Sequence, residues 1–351
     1  MFNLEHLLKL IDPQPILIDH QACLAARHKR AACRACVLLC PVHALSVEDG
    51  KLEVDASACT RCGLCAGACP TGALSVRGVD EPTVLKAGSV HCSKADGSGA
   101  QVPCLGYLTA DHLLEMGLRQ ESLDLVSGDC ATCPWQTGGA KAAEAVNVAQ
   151  GALTALGSAH SIRLVRQSGD QAAGRSLSRR DLLNLWRSES IQVAKQFVPE
   201  RTINHAKLPA KVPARRSRWL RQVEVGNLPQ EQVMPAGPWK GRVVSEACNG
   251  CSICVSFCPT GAFSKGEENG EWFLLHQPAA CVSCDTCVQL CPTRAVGEEP
   301  IPASVMASGE VREVTRLTKL RCRTCRKEFR GRPGESQCPA CRSISGVFLR
   351  T

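Results

Sequence analysis

The chain has 351 residues, enough for roughly two or three domains, but an aromatic content of 4% argues against one large core. Its 24 cysteines, without a basic segment and apolar run at Met1–Leu10, point away from a secreted disulfide scaffold and towards thiolates kept reduced in the cytoplasm. The net charge of +8 is unevenly spread, and no stretch approaches the roughly eighteen apolar residues of a membrane span.

Residues 16–76 contain an internal repeat whose halves each read as short strand, cysteine loop, helical turn and strand. ILIDHQAC (16–23) parallels LEVDASAC (52–59), and CPVHALSV (40–47) parallels CPTGALSV (69–76). A hairpin turn is expected at Glu48-Asp49-Gly50. The second half carries the run C-x2-C-x2-C-x3-C-P at Cys59, Cys62, Cys65 and Cys69, before Pro70. In such a tight loop successive thiolates reach three corners of an iron–sulfur cubane. The first half is a variant, with Cys33, Cys36 and Cys40 before Pro41 and Arg30 where a first cysteine would stand. Cys23 is the obvious substitute; a three-cysteine site lacking one iron, or one completed by His28, is the rival reading. The loop 24–32 then carries Arg27, His28, Lys29 and Arg30 beside one cluster, where cations raise its potential.

Next, residues 90–166 read as one α/β unit. VHC (90–92), LDLVSGDC (123–130) and IRLV (162–165) are strand-like, and 108–118 and 141–157 helical. Cys92, Cys104, Cys130 and Cys133 fall on loops at strand ends, a fifth candidate site. Gly-Ser-Gly at 97–99 lacks a complete dinucleotide fingerprint. A helix is expected from Ser178 to Phe197, and the Ser178–Leu183 segment, which resembles a twin-arginine motif, reads as its capped start. From Arg201 to Arg221 there are seven Lys/Arg and no acid. Because Pro209 and Pro213 interrupt any helix, this run reads as a solvated linker; docking onto an acidic redox partner is the alternative, and nucleic acid is a weaker one.

The repeat returns at 243–296, with a turn near Asn269-Gly270. Its runs are Cys248, Cys251, Cys254 and Cys258 before Pro259, then Cys281, Cys284, Cys287 and Cys291 before Pro292. Finally Cys322, Cys325, Cys338 and Cys341 form two CxxC knuckles suited to a tetrahedral zinc; rubredoxin-type iron is the alternative, although Arg326 and Arg342 stand where rubredoxin knuckles continue with glycine.

These residues carry three resemblances. Regions 16–76 and 243–296 resemble the bacterial two-cluster ferredoxins, whose fourth cysteine binds the cluster of the other run. That resemblance implies [4Fe–4S] sets of Cys23, Cys33, Cys36 and Cys69; Cys40, Cys59, Cys62 and Cys65; Cys248, Cys251, Cys254 and Cys291; and Cys258, Cys281, Cys284 and Cys287. The α/β unit resembles the delta subunit of methyl-viologen-reducing hydrogenases through Cys92, Cys104-Leu105-Gly106 and Gly128-Asp129-Cys130-Ala131-Thr132-Cys133, departing from it at Ser93 and Lys94. This implies a further cluster, [2Fe–2S] ahead of [4Fe–4S]. The last fifty residues resemble a zinc ribbon.

The expected fold class is α+β multidomain: a two-cluster ferredoxin domain (1–85), a small α/β domain (86–170), a helix and basic Pro-containing linker (171–240), a second two-cluster ferredoxin domain (241–300) and a zinc ribbon (301–351). No nucleophile–base pair emerges. The expected function is electron relay between oxidoreductase subunits acting as donor and acceptor, with nucleic acid not favoured as a partner. Reduction of a small disulfide or similar substrate at Cys92, Cys104, Cys130 and Cys133 is the alternative.

Overall fold

The computed structural model describes residues 14–28, 31, 33–167, 210–223 and 232–342. The Met1–Leu10 stretch, Lys29, Arg30 and the expected helix from Ser178 to Phe197 lie outside the described residues. The chain divides into two compact units, one of Met1–Thr154 with Ser158–Leu208, the other of Pro209–Thr351 with Ala155–Gly157.

The first unit begins with β1 (Ile16–Ile18), α1 (Leu24–Arg27), α2 (Ala35–Leu38), β2 (Leu45–Glu48), β3 (Lys51–Val54), α3 (Leu64–Ala68) and β4 (Leu74–Val76). β1 pairs antiparallel with β4, Ile16 opposite Val76, so the first and last strands of the repeat close on each other. β2 and β3 form the expected hairpin, with Asp49 and Gly50 at φ 47° and 78°, the left-handed pair that a two-residue turn requires. Apolar filling is sparse: Ile16, Leu45, Leu52, Leu64, Leu74 and Val76 are buried among small alanines and the thiols of Cys23, Cys36, Cys40, Cys62, Cys65 and Cys69. A domain this small with thiols at its centre draws much of its cohesion from what the thiols bind.

The α/β region follows: α4 (Glu81–Lys86), β5 (Ser89–Cys92), β6 (Ala100–Val102), α5 (Ala110–Arg119), β7 (Ser122–Ser127), α6 (Thr137–Ala155) and β8 (Ser161–Arg166). Its four strands are all parallel, in the order β6-β5-β7-β8. Thr109 caps α5 in a reciprocal box with His112, and Leu113, Leu114 and Met116 are buried on that helix. The expected elements are present. The sequence reading missed β6, three residues without an apolar run. It is reached by a connection of only 93–99, in which Gly99 (φ 107°) passes against the Ser89 carbonyl where a Cβ would collide. The chain order reverses at β5, and in open parallel sheets ligands bind beyond the carboxyl ends of the strands at such a switch point.

The second unit contains α7 (Ala214–Leu220), β9 (Gly241–Val244), α8 (Ile253–Ser256), β10 (Phe263–Glu268), β11 (Glu271–His276), α9 (Thr286–Leu290), β12 (Val296–Glu299), α10 (Ala303–Ser308), β13 (Arg312–Arg321) and β14 (Glu328–Gly331). β9 and β12 pair as β1 and β4 do. The β10–β11 hairpin turns on Asn269 and Gly270, as expected, but it does not stay two-stranded: β13 pairs with β11 and β14 with β13. Leu317 of β13 therefore sits in one core with Phe263, Trp272, Leu274 and Val296.

The described part of the basic run differs from a solvated linker. Pro213 precedes α7 and starts the helix instead of interrupting it, because proline lacks only an N–H that the first turn leaves unpaired. Arg216 and Trp219 are fully buried. Arg216 donates to the Cys281 and Pro238 carbonyls, and Trp219 meets Trp239 edge-on at 6.0 Å.

Candidate metal centres

In each regular cysteine loop, the residues on both sides of the middle cysteine are left-handed. They are Arg61 and Gly63 around Cys62, Gly250 and Ser252 around Cys251, and Ser283 and Asp285 around Cys284. This conformation coils the chain so that the sulfurs converge, and glycine or aspartate adopts it more readily than serine or arginine. The variant loop is different, since Arg34 after Cys33 has φ −129°.

A second device follows every closing cysteine. The residue three positions on, His43, Gly72, Gly261 or Arg294, is again left-handed. That bend returns the next amide to the sulfur: Ala44 N donates to Cys40 Sγ at 3.3 Å, Ala73 N to Cys69 Sγ at 3.2 Å and Ala295 N to Cys291 Sγ at 3.2 Å. Thr71, Thr260 and Thr293 bring a hydroxyl to within 3.5, 3.6 and 3.6 Å of Cys69, Cys258 and Cys291. Cys40 has Val42 at the equivalent position.

Electrostatic coupling joins neighbouring thiols from different loops. Burial, then the charges of Cys69, Cys33 and Cys23, push the Cys36 thiol up to about 12. Burial also raises Cys23, against amide bonds from Ala26 and Ala25, with Cys69 and Cys33 adding. Cys23, Cys33, Cys36 and Cys69 line one hollow, and His28 is not among its lining residues. Burial raises Cys62, with Cys40 and Cys59 contributing, while Cys65 reaches about 12 through burial and its neighbours Cys62, Cys36 and Cys59. Cys36 and Cys65 thus link the two sets of the first ferredoxin region. In the second, burial and the charges of Cys248, Cys251 and Cys291 bring Cys254 to about 12. Burial, with Cys281 and Cys258 adding, brings Cys284 to about 11. These couplings run within the expected crosswise sets and, at Cys36 and Cys65, between them.

The fifth set stands at the switch point. Cys92 ends β5, Cys104 follows β6, and Cys130 and Cys133 follow β7, around a hollow that Trp135 and Arg166 also line. Gly128 N donates to Cys92 Sγ and Trp135 N to Cys133 Sγ, each at 3.4 Å. Burial pushes Cys104 up to about 12, and the charges of Cys92, Cys62 and Cys133 add to it. Burial also raises the Cys130 thiol. A reactive dithiol needs a depressed pKa, so substrate reduction at this site is not favoured.

In the C-terminal knuckles the Sγ atoms of Cys322, Cys325, Cys338 and Cys341 all lie within 4.8 Å of one another, and Cys325 and Cys338 are 3.7 Å apart. A tetrahedron of ~2.3 Å metal–sulfur bonds has an edge of about 3.8 Å, so this site could hold one metal ion. Amides of Cys325 and Cys338 bring Cys322 down to about 6, whereas thiol contacts with Cys325 and Cys338 take Cys341 up to about 12. Among the described residues no other three His, Cys, Asp or Glu ligand atoms gather so closely. The other cysteines are not gathered within that 4.8 Å limit.

Sequence reasoning missed the buried cations beside the second ferredoxin region. Arg242, 1% exposed, ion-pairs with Asp285 between Cys284 and Cys287. Nothing local distinguishes it from the other arginines of a basic chain. It also missed Gly138 and Gly139, whose added Cβ atoms would meet Cys104 Sγ and Cys130 Sγ. Two glycines in the first turn of a helix were the available signal.

Residues 247–295 match the family model of the 4Fe-4S dicluster domain, and residues 52–75 match that of the 4Fe-4S binding domain. Over 108 residues the chain is 33% identical to an uncharacterised ferredoxin of Methanocaldococcus jannaschii, covering 28% of this chain and 57% of that protein. A second uncharacterised ferredoxin of that organism is 39% identical over 62 residues, covering 17% of this chain and 92% of the relative. Hydrogenase-4 component A of Escherichia coli is 44% identical over 43 residues, 12% of this chain and 21% of that protein. The chain thus spans only part of the first and third relatives but nearly all of the second. With two ferredoxin-type 4Fe–4S regions and almost the full length of one such relative within it, this chain belongs to the ferredoxins, the iron–sulfur proteins of electron transfer.

Proposed function

We propose that the chain is a multi-cluster relay, with four [4Fe–4S] clusters on the crosswise cysteine sets, a fifth cluster at Cys92, Cys104, Cys130 and Cys133, [2Fe–2S] ahead of [4Fe–4S], and zinc at Cys322, Cys325, Cys338 and Cys341. It carries electrons between donor and acceptor subunits of a larger oxidoreductase complex. The observation that carries this reading is the recurrence of the cysteine loop with left-handed residues on both sides of its middle cysteine, in the two regions that match 4Fe-4S family models. The hydrogenase component among its relatives supports an oxidoreductase setting.

Iron–sulfur clusters supply reversible one-electron exchange when bound. The cysteines hold them, and deprotonation of raised thiols accompanies loading, so assembly releases protons and weakens as pH falls. Amides of Ala44, Ala73 and Ala295 hydrogen-bond to the sulfurs and favour the reduced, more negative state. Arg242 adds a buried positive charge at Cys281 and Cys287. Thiolates of this number require a reducing compartment, consistent with the cytoplasm.

Anaerobic isolation with iron, sulfide and zinc analysis, followed by EPR during dithionite titration, tests the relay. Several reversible low-potential signals are expected, and partner subunits should co-purify. Silence after reduction, or zinc in the crosswise sets, would overturn it.

A further inference from the structure

Three glycines meet where the first ferredoxin region packs on the α/β region within the first unit. A Cβ on Gly67 of α3 would collide with the Gly106 carbonyl oxygen. One on Gly106 would lie 2.5 Å from Leu64 Cδ2 and 2.9 Å from the Gly138 oxygen, and one on Gly138 would collide with Cys104 Sγ. Other glycines of this region, such as Gly63 and Gly72, are left-handed; these three are not. Their backbones would accept an alanine, so the reason for glycine is the close approach alone. Leu64, fully buried, joins Cys62 and Cys104 in one apolar cluster against which Leu39 and Trp135 pack.

We propose that the Cys62–Leu64–Cys104 contact is the junction through which the first ferredoxin region and the α/β site exchange electrons, with Gly67, Gly106 and Gly138 as positioning residues that hold it closed. This rests on the reading of both thiol sets as cluster ligands. One electron crosses at a time. The centre held by Cys40, Cys59, Cys62 and Cys65 is oxidised by one unit, and that at Cys92, Cys104, Cys130 and Cys133 is reduced by one. No bond breaks and no proton needs to move. A low-potential one-electron reductant supplies the electron at the outset. The contact is buried and apolar, which lowers the cost of reorienting solvent around the moving charge. It also gives an order: Cys36 and Cys65 link the two ferredoxin sets, and Cys62 and Cys104 lead from the second into the α/β region. Cys92 and Cys104 are buried, whereas Cys130 and Cys133 are half-buried and remain the side available to an outside partner.

The test uses the full chain, loaded anaerobically and reduced with dithionite. EPR should show magnetic interaction between the α/β-site centre and one ferredoxin centre, as splitting and faster relaxation. Gly67→Ala, which forces the backbones apart, should weaken that interaction and slow electron equilibration after flash reduction several-fold, with iron and sulfide content unchanged. Gly88→Ala, whose Cβ meets only the end of the Gln120 side chain at 2.7 Å, is the control and should change neither. Should Gly67→Ala lose iron, Leu64→Val loosens the contact without a collision and should give the same slowing. Both signals present without interaction, or variants leaving interaction and rate untouched, would overturn the junction while the relay stands. Absence of any signal from the α/β site would instead overturn the cluster reading there, and the junction with it.

Discussion

The two ferredoxin regions share a cysteine scaffold and differ in what surrounds it. Around the first, the contact at Cys62 is apolar, formed by Leu39, Leu64, Trp135 and glycines. Its buried arginines, Arg27 and Arg77, donate to the carbonyls of Gln21 and Gln14. Around the second, arginines press on the cysteine loops themselves. Arg216 donates to the Cys281 carbonyl, Arg242 pairs with Asp285, and Arg330 donates to the Gly250 carbonyl at 3.2 Å. The scaffold decides where the sulfurs stand, and its neighbours decide how readily another electron is accepted. The second region should therefore hold the higher potentials.

The largest test removes the C-terminal four-cysteine site. Cys338→Ser should abolish metal binding there, a loss on the order of 10 kcal/mol for such sites. Hydrogen exchange should then lose protection over 322–342. β13 should stay protected where it pairs with β11, because Leu317 belongs to the ferredoxin core. Release of Arg330 from Gly250 should also lower the potential of the neighbouring centre. A potential unchanged by loss of that site would break the comparison on that side.

Next comes acid sensitivity. His276 is buried against Phe263, and burial first, then the charges of Arg242 and Arg312, push it down to about 4. Unfolded, it titrates near 6.5. Between these values the unfolded chain binds the extra proton, so the contribution is complete above about pH 6.5 and is lost as pH falls towards 4. Its size is about 3 kcal/mol. Melting curves of wild type and His276→Phe should diverge across that window, with the variant less acid-labile; parallel curves would refute the assignment.

What was legible in advance follows the reach of each interaction. The cysteine runs, the repeat and the turns at Asp49-Gly50 and Asn269-Gly270 are local patterns, and the structure has them. The expected set of Cys23, Cys33, Cys36 and Cys69 rested on the ferredoxin resemblance with Cys23 standing in for one missing cysteine, and the four line one hollow. Left-handed Arg61, Ser283 and Arg294 were hidden, since the loops impose that conformation on residues with no preference for it. Pairing of β13 with β11 and burial of Arg216 and Arg242 join residues distant in sequence, in a chain where basic residues are common. Even α7 was obscured by Pro213, read as a breaker where it serves as a start.

Arg242→Met asks whether the arginines cause the difference. Burial works against the cation, but Cys281, Cys287 and Asp285 outweigh it and hold its pKa above the usual range. Asp285 is half-exposed and can be hydrated once alone, so the stability loss should be modest, about 2 kcal/mol. The potential of the centre at Cys258, Cys281, Cys284 and Cys287 should fall in an EPR titration. Arg242→Lys should recover part of it, because the charge returns without the planar fork. A Met variant with an unshifted potential would assign the difference to solvent exposure.

The smallest effect is the most selective. Cys69 and Cys40 each receive an amide bond from the alanine four residues on, yet only Cys69 has a threonine hydroxyl nearby. Thr71→Val should lower the potential of the centre that includes Cys69, because one polar contact to sulfur is lost, and should cost about 1 kcal/mol or less in stability. Val42→Thr should raise the potential of the centre that includes Cys40, provided its hydroxyl meets the sulfur as Thr71 does. Opposite shifts of similar size would assign the tuning within one ferredoxin region to a hydroxyl, set against an amide bond that both halves share. If neither potential moved, the left-handed bends and their amides would be the whole of the local control, and the contrast between the two regions would rest on the arginines alone.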